Sequence, residues 1–184
     1  LAEKAFSGSL PSAAGTIEPG RYSGGDSREI RDLEQAHLVM GFEGVSFDDD
    51  DYYPLAVLST ALGGGMSSRL FQEVREKRGL VYSIYTFSSS YQDGGLFGLY
   101  AGTGEDEVAE LIAVVCDELI KVAADPLADD EITRARAQIK AGVLMSLEST
   151  SSRAERLARH LQVYDRIIPV DEIAARIDSV SAED

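Results

Sequence analysis

The chain has 184 residues, 17 of them basic and 32 acidic, which gives a formal net charge of −15. This length suits one domain, or one compact domain with a tail, and a content of 44% hydrophobic and 27% charged residues is typical of a globular protein. The acidic balance argues against a nucleic-acid partner and against an anionic membrane surface. A single cysteine excludes an internal disulfide and fits a reducing compartment.

The first part of the chain predicts a linker. Residues 7–25 are rich in Gly, Ser and Pro and show no periodicity. The stretch before them, Leu1–Phe6, is interpreted as the end of an earlier helix. We therefore expect a boundary at residue 26, with a domain over residues 27–184.

Strands and a helix are predicted next. Apolar and more polar residues alternate over 36–42, which indicates a strand, and Arg28–Leu33 suggests a shorter strand before it. A helix should follow the acidic run Asp48–Asp51, since Pro54 suits a first helical turn and acidic side chains favour a helix N-terminus. The glycines at 63–65 should end this helix.

A second helix and a hairpin follow in the prediction. Ser67 or Ser68 can cap the helix, and Gly79 is expected to stop it. Leu80–Ser89 has apolar residues on both faces, so it is predicted to be a central strand. A turn at residues 92–95 should lead to a returning strand, Leu96–Thr103.

The rest of the chain predicts helices. Four segments carry apolar residues at helical spacing: Glu105–Ala124, Asp129–Glu148, Arg153–Asp165 and Pro169–Ile177. Strands and helices are therefore segregated along the chain. That order predicts an α+β fold, with a mainly antiparallel sheet covered on one face by several helices. Ser181 and Asp184 form a pattern that is typical of a helix start.

The sequence offers no metal motif. A zinc site needs three or four converging ligands, yet His37 and His160 lie far apart and outside any His-rich pattern, so both are interpreted as surface or boundary residues. The run Asp48–Asp51 lacks the spacing of a calcium loop. Cys116 falls mid-helix and is interpreted as a packed thiol. We expect no metal or other cofactor in this chain.

One pair of residues could bind a ligand. Arg75 falls on the last turn of the second predicted helix, and Tyr82 lies just inside the strand that follows. A guanidinium and a phenol could converge on one carbonyl or carboxylate. A cation at a helix end and a tyrosine in a strand also have a purely structural explanation.

The stretch that carries this pair resembles a known family. Residues 63–71, Gly-Gly-Gly-Met-Ser-Ser-Arg-Leu-Phe, and residues 74–83, Val-Arg-Glu-Lys-Arg-Gly-Leu-Val-Tyr-Ser, resemble the second half of the insulinase (pitrilysin) family of zinc peptidases. The bacterial processing proteases and the mitochondrial processing peptidase are the most similar branch. The likeness covers most of the chain.

The resemblance implies a role for the pair. In that family the first of two similar α+β halves holds zinc through a His-x-x-Glu-His motif, and the second supplies an Arg and a Tyr that bind the substrate backbone. The matching positions here are Arg75 and Tyr82. The resemblance also implies that residues 1–26 are the end of the first half and the linker, and that the family's last helix and strand are missing after Asp184.

The implied function is therefore that of the C-terminal half of a zinc metalloendopeptidase, inactive alone. Its partners would be a zinc-bearing N-terminal half, in the same chain or in a partner subunit, and a peptide substrate, with a dimer as a further option. Two alternatives stay open, a structural subunit of the same fold and a stand-alone peptide-binding module. With no apolar run of membrane-spanning length and no leader visible, we expect a bacterial cytoplasmic or mitochondrial-matrix location.

Overall fold

The computed structural model of the chain describes Gly8 and residues 18–184. Within these residues the elements are β1 (Ala36–Gly44), α1 (Tyr52–Gly63), a π-helix (Phe71–Glu76), β2 (Val81–Ser90), β3 (Gly95–Thr103), α2 (Val108–Ala124), α3 (Asp129–Ser146), α4 (Thr150–Tyr164) and α5 (Val170–Ser179). The expected α+β class is confirmed, since the antiparallel strands and most of the helices are segregated along the chain. The helix end expected at Leu1–Phe6 lies outside the described residues.

The three strands form an antiparallel sheet in the order β1-β3-β2. The prediction that the Leu80–Ser89 strand is central is wrong, because β3 pairs with both other strands and β2 is an edge strand of this sheet. The apolar residues on the second face of β2 have another cause. A Cβ on Gly98 of β3 would lie 2.5 Å from the ring of Phe87, so the aromatic side chain of β2 covers a glycine of the central strand.

The prediction of a short strand at Arg28–Leu33 is also wrong. This segment is exposed and pairs with no strand of the described residues, and Ile30 is almost fully accessible to solvent. Its charged residues form surface ion pairs within the segment, between Arg28 and Asp26 and between Arg31 and Glu29. Residues favour strands where they fit a half-buried surface, and this exposed segment offers none. The domain boundary at residue 26 stays a prediction.

The main core lies between the sheet and its helices. Phe97, Leu99 and Ala101 of β3 are buried on one face of the sheet, as the alternation in the sequence predicts. They pack with buried residues of α1, of the π-helix and the residue before it, and of α2, which are Leu62, Leu70, Val74, Leu111 and Val115. The cluster fixes the π-helix against β2, and this contact positions the segment in which the candidate residues lie.

The later helices extend this layer. Ile132 and Ala135 of α3 pack against Val57 and Ala61 of α1, and Ile173 and Ile177 of α5 belong to a further buried cluster. The predicted capping pattern at the end of the described chain is present, because the Ser181 N–H donates to Oδ2 of Asp184 at 2.7 Å. In the part of the chain that the structure describes, no helix is both long and apolar enough to cross a bilayer.

Candidate functional site

The segment that carries Arg75 is helical, as predicted, but it is wound more widely than an α-helix. The Lys77 N–H donates to the carbonyl of Gln72, five residues earlier, at 3.0 Å. Leu70 and Val74 are fully buried and hold this turn on the core. Short π-helical turns are rare and occur frequently at functional sites. The residues on this turn, Arg75 among them, are therefore candidates for a functional role.

Gly79 ends the helical segment, as the sequence predicts. Its φ is +67°, the left-handed conformation that a residue without Cβ adopts at little cost. The Gly79 N–H donates to the carbonyl of Arg75, and the Leu80 N–H donates to that of Val74, each at 3.0 Å. The chain enters β2 directly after this turn. The turn therefore fixes how the segment with Arg75 is oriented relative to the segment with Tyr82.

The side chain of Arg75 is exposed and lies over its neighbour Phe71. The guanidinium carbon is 4.9 Å from the centre of the Phe71 ring, a cation–π contact across one helical turn. The acidic residue of this turn, Glu73, pairs instead with Lys77 and Arg78. Among the described residues, no carboxylate lies within ion-pair distance of Arg75, so its hydrogen-bond donors are available to a ligand.

Tyr82 lies at an irregularity of β2. Val81 pairs with Thr103 and Ser83 pairs with Gly102, so Tyr82 itself has no partner on β3 and forms a β-bulge. The bulge allows Val81 and Ile84, three residues apart, to be buried on the same face. The Tyr82 side chain is 63% exposed, and within the described part of the chain its hydroxyl makes no hydrogen bond.

An aromatic surface lies on the sheet face opposite the helices, and one of its members, Tyr85, follows Tyr82 on β2. The rings of Tyr85 and Tyr100 stack with centres 5.0 Å apart, and Nδ1 of His37 is 2.8 Å from the hydroxyl oxygen of Tyr100. Sequence reasoning missed this surface. The signal was the alternation of Tyr100 with Gly98 and Gly102 along β3, which leaves room for side chains from both neighbouring strands.

The structure therefore places Arg75 and Tyr82 at the two ends of one short connection, both open to solvent. Neither hydrogen-bonds to the other within the described residues. The expectation that the two side chains converge on one carbonyl or carboxylate stays a prediction.

Comparison with known proteins identifies the family. The family described as peptidase M16 inactive domain matches residues 1–139. The chain belongs to the peptidase M16 inactive domain family. The expected resemblance to the second, metal-free half of insulinase-type zinc peptidases is thereby confirmed. Within this M16 inactive domain, Arg75 and Tyr82 fall inside the matched region.

Individual proteins agree with this assignment. An uncharacterized zinc protease of Streptomyces coelicolor is 45% identical over 154 residues, which cover 84% of this chain and 34% of that protein. One from Rickettsia bellii is 38% identical over 184 residues, covering 100% of this chain and 44% of that protein. A solved peptidase M16 inactive domain from Pseudomonas fluorescens has a TM-score of 0.72 and 25% identity, over 81% of this chain and 36% of that one. The chain thus spans less than half the length of these relatives.

The M16 inactive domain offers no metal site in its described residues. Gly8 and residues 18–184 contain no group of three or more His, Cys, Asp or Glu side chains that could hold a metal ion. Cys116 is half-buried in the middle of α2. The name zinc protease of the relatives indicates that zinc is a feature of the full-length proteins.

One of the two histidines differs from its prediction. His37 is exposed, but His160 is buried, with only 7% of its surface accessible, and is not a surface or boundary residue. The Ile168 N–H donates to Nδ1 of His160 at 3.2 Å. Burial, and then the nearby Arg156, Arg159 and Arg166, lower the pKa of His160, which favours the neutral form of the ring. It satisfies a buried backbone group where the chain turns from α4 to α5.

Proposed function

We propose that this domain is the metal-free half of a zinc metalloendopeptidase and positions the peptide for cleavage by the zinc-bearing half. That half would belong to the same chain or to a partner subunit, since the relatives are more than twice as long as this chain. The single observation that carries the proposal is the pair Arg75 and Tyr82. Both present donors without partners in the described residues, from a π-helix and a β-bulge that are each less stable than regular structure.

The chemistry of the pair suits a peptide carbonyl. Arg75 can donate charge-assisted hydrogen bonds in a planar fork, and the neutral Tyr82 hydroxyl can donate one more. Donors that hold a carbonyl oxygen as negative charge develops on it lower the activation free energy of the reaction. In this proposal the metal chemistry belongs to the other half, and the name zinc protease of the longer relatives supports this division.

The surface around the pair suits an extended chain. The Tyr85–Tyr100 stack and His37 form an exposed aromatic surface on the strands that flank β3 and on β3 itself, and within the described residues β2 presents an unpaired strand edge. Peptides commonly bind to such edges in extended form, with backbone hydrogen bonds and side chains in neighbouring pockets. A substrate held this way would place its carbonyl groups beside the Tyr82 hydroxyl.

The test is turnover of the complete protein with single substitutions. Tyr82→Phe removes only the hydroxyl, and Arg75→Lys keeps the charge but loses the planar fork. We expect kcat to fall by about a hundredfold to a thousandfold in each, the usual effect of losing one donor to a developing oxyanion. The melting temperature should stay unchanged, because both side chains are exposed.

Matched controls are available on the same domain. Tyr91 is 62% exposed and follows the other end of β2, so Tyr91→Phe should leave kcat unchanged. Arg134→Lys, in an exposed ion pair of α3, should do the same. Full turnover in both Tyr82→Phe and Arg75→Lys would contradict the proposal that the pair positions the peptide. A parallel loss of melting temperature and activity would show that the pair only stabilises the fold.

A further inference from the structure

A cleft of about 350 Å³ lies between α1, α3, α4 and α5, away from Arg75 and Tyr82. Its walls are mainly apolar and include Ile139 and Val143 of α3 and Ile173 and Ile177 of α5. Helix α4 contributes charged residues to the same cleft. Apolar walls that meet charged groups at one side are typical of small-molecule sites.

Arg156 lines this cleft with a guanidinium that is incompletely bonded. Its Nε and Nη1 atoms are buried, and they have no hydrogen-bond partner in the described part of the chain. A charged group that loses water without gaining acceptors is costly, so such groups are nearly always paired in folded proteins. The orphaned donors of Arg156 therefore point to an acceptor that the described residues do not supply.

The charges around the cleft favour an anion. Arg159 also lines it, and no carboxylate among the described residues lies within ion-pair distance of Arg156 or Arg159. Glu155 lines the cleft as well, but it pairs with neither arginine in the described residues. His160 accepts the Ile168 N–H, and its ring carries no negative charge in either protonation state, so it cannot balance these charges. The result is a local positive excess in a chain whose net charge is −15.

We propose that this cleft binds a carboxylate with an apolar body, its oxygens on Arg156 and Arg159 and its body against the isoleucine walls. The guanidinium fork matches the two oxygens of a carboxylate. The apolar walls favour an aliphatic acid over a compact, highly charged anion such as phosphate. The inference goes beyond the proposed peptidase function, since the cleft shares no residue with the Arg75 and Tyr82 pair.

The test is isothermal titration calorimetry on the complete protein with defined probes. Hexanoate should bind more tightly than acetate, by about fourfold for each methylene group that the walls bury. Hexanamide has the same body without the charge and should bind at least about tenfold more weakly than hexanoate. An acetylated peptide that ends in Leu-Leu with a free carboxylate separates two sources, because tighter binding than hexanoate identifies a peptide C-terminus as the ligand.

Three substitutions on α4 test which of its side chains bind the carboxylate. Arg156→Gln should weaken hexanoate binding by about tenfold or more. Glu155→Gln removes a competing negative charge and should strengthen it by about twofold. Arg153 is exposed on the same helix and does not line the cleft, so Arg153→Gln should leave binding unchanged.

The melting temperature of the ligand-free protein provides a second test. If the Arg156 donors have no acceptor until a ligand binds, Arg156→Gln should leave the melting temperature of the ligand-free protein unchanged or raise it. A clear fall would show that Arg156 already has a partner within the protein, and it would overturn the proposal. Equal affinities for hexanoate and hexanamide, or unchanged binding in Arg156→Gln, would also overturn it. Arg156→Lys keeps the charge without the fork and should bind hexanoate with intermediate affinity.

Discussion

Arg69 and Glu131 form a two-pronged ion pair that joins the start of the π-helical segment to the N-terminus of α3. Nε and Nη2 of Arg69 donate to Oε1 and Oε2 of Glu131 at 2.5 and 2.6 Å. Oε2 of Glu131 also accepts the Ala128 N–H at 3.0 Å, so the carboxylate caps α3 as well. The side chains are only 22% and 16% exposed. The pair thus anchors the turn that presents Arg75 to helix α3.

Loss of this ion pair should destabilise the domain. Arg69→Met keeps most of the apolar volume but leaves Glu131 partly buried without its cation. We expect a loss of about 2 kcal/mol of unfolding free energy and a melting temperature about 4–8 °C lower. Thermal unfolding followed by circular dichroism measures this. Arg134→Met, in an exposed pair with Asp130, is the control and should change stability little. Equal effects of the two variants would contradict a structural role for Arg69.

The same ion pair predicts a pH dependence of stability. The hydrogen bonds from Arg69 are the largest cause that lowers the pKa of Glu131 below its ordinary value of 4.5. A carboxyl whose pKa is lowered by folding stabilises the protein above its unfolded-state pKa, and this contribution is lost as the pH falls through the lowered value.

Comparison with Glu131→Gln isolates this contribution. The wild-type protein should exceed Glu131→Gln in unfolding free energy at pH 7, and the difference should shrink as the pH drops below 4.5. Other carboxyls with lowered pKa values, such as Glu73 and Glu172, are present in both proteins, so their effects largely cancel. Urea unfolding at a series of pH values measures the difference. A constant gap between the two proteins down to pH 3 would contradict the assignment.

The regular elements of the fold could be predicted from the sequence because local patterns fix them. Alternation over 36–42 and helical spacing in α2 and α3 indicate which face is buried. In α4 the predicted apolar stripe is wrong, because Leu157 and Leu161 are exposed and the buried residue of that helix is His160. Gly79 was identified as a stop, and its positive φ is the reason that glycine is suited there. The order of the strands was not predictable in the same way, because strand neighbours depend on contacts between residues far apart in the chain. The apolar second face of β2 thus indicated a central strand, although the structure places it at an edge.

The candidate site was predicted in its residues but not in its geometry. The resemblance to zinc peptidases singled out Arg75 and Tyr82. Helical spacing cannot distinguish a π-turn from an α-turn over six residues, and a β-bulge at Tyr82 appears only once Val81 and Ser83 are paired with β3. These two irregularities arise from long-range packing of Val74, Val81 and Ile84 on the core.

The isolated chain should bind no zinc and cleave no peptide. His37 is hydrogen-bonded to Tyr100, and His160 is committed to the Ile168 backbone, so neither is part of a ligand group in the described residues. Elemental analysis after dialysis measures the bound metal, and hydrolysis of a fluorogenic peptide measures activity. One tightly held zinc per chain, or chelator-sensitive hydrolysis that survives a second purification, would contradict the assignment of zinc to the other half. Addition of the zinc-bearing half should restore hydrolysis.

Two glycines offer a matched test of the turn between Arg75 and Tyr82. A Cβ built on Gly79 or on Gly142 meets nothing within 4 Å, so neither substitution by alanine creates a clash. The two differ only in backbone conformation, since Gly79 has a φ of +67° and Gly142 lies within the helix α3. Gly79→Ala should therefore cost about 1–2 kcal/mol of unfolding free energy, whereas Gly142→Ala should gain about 0.5–1 kcal/mol.

The functional consequence of the two substitutions should differ as well. If the left-handed turn at Gly79 fixes the orientation of Arg75 relative to Tyr82, Gly79→Ala should lower kcat of the complete protein at temperatures well below its melting point. Gly142→Ala should leave kcat unchanged. Gly79→Asn provides an intermediate case, because asparagine adopts positive φ more readily than alanine. We therefore expect kcat to rank wild type, then Gly79→Asn, then Gly79→Ala. A Gly79→Ala protein that is destabilised but keeps full turnover would show that the turn supports the fold without positioning the pair.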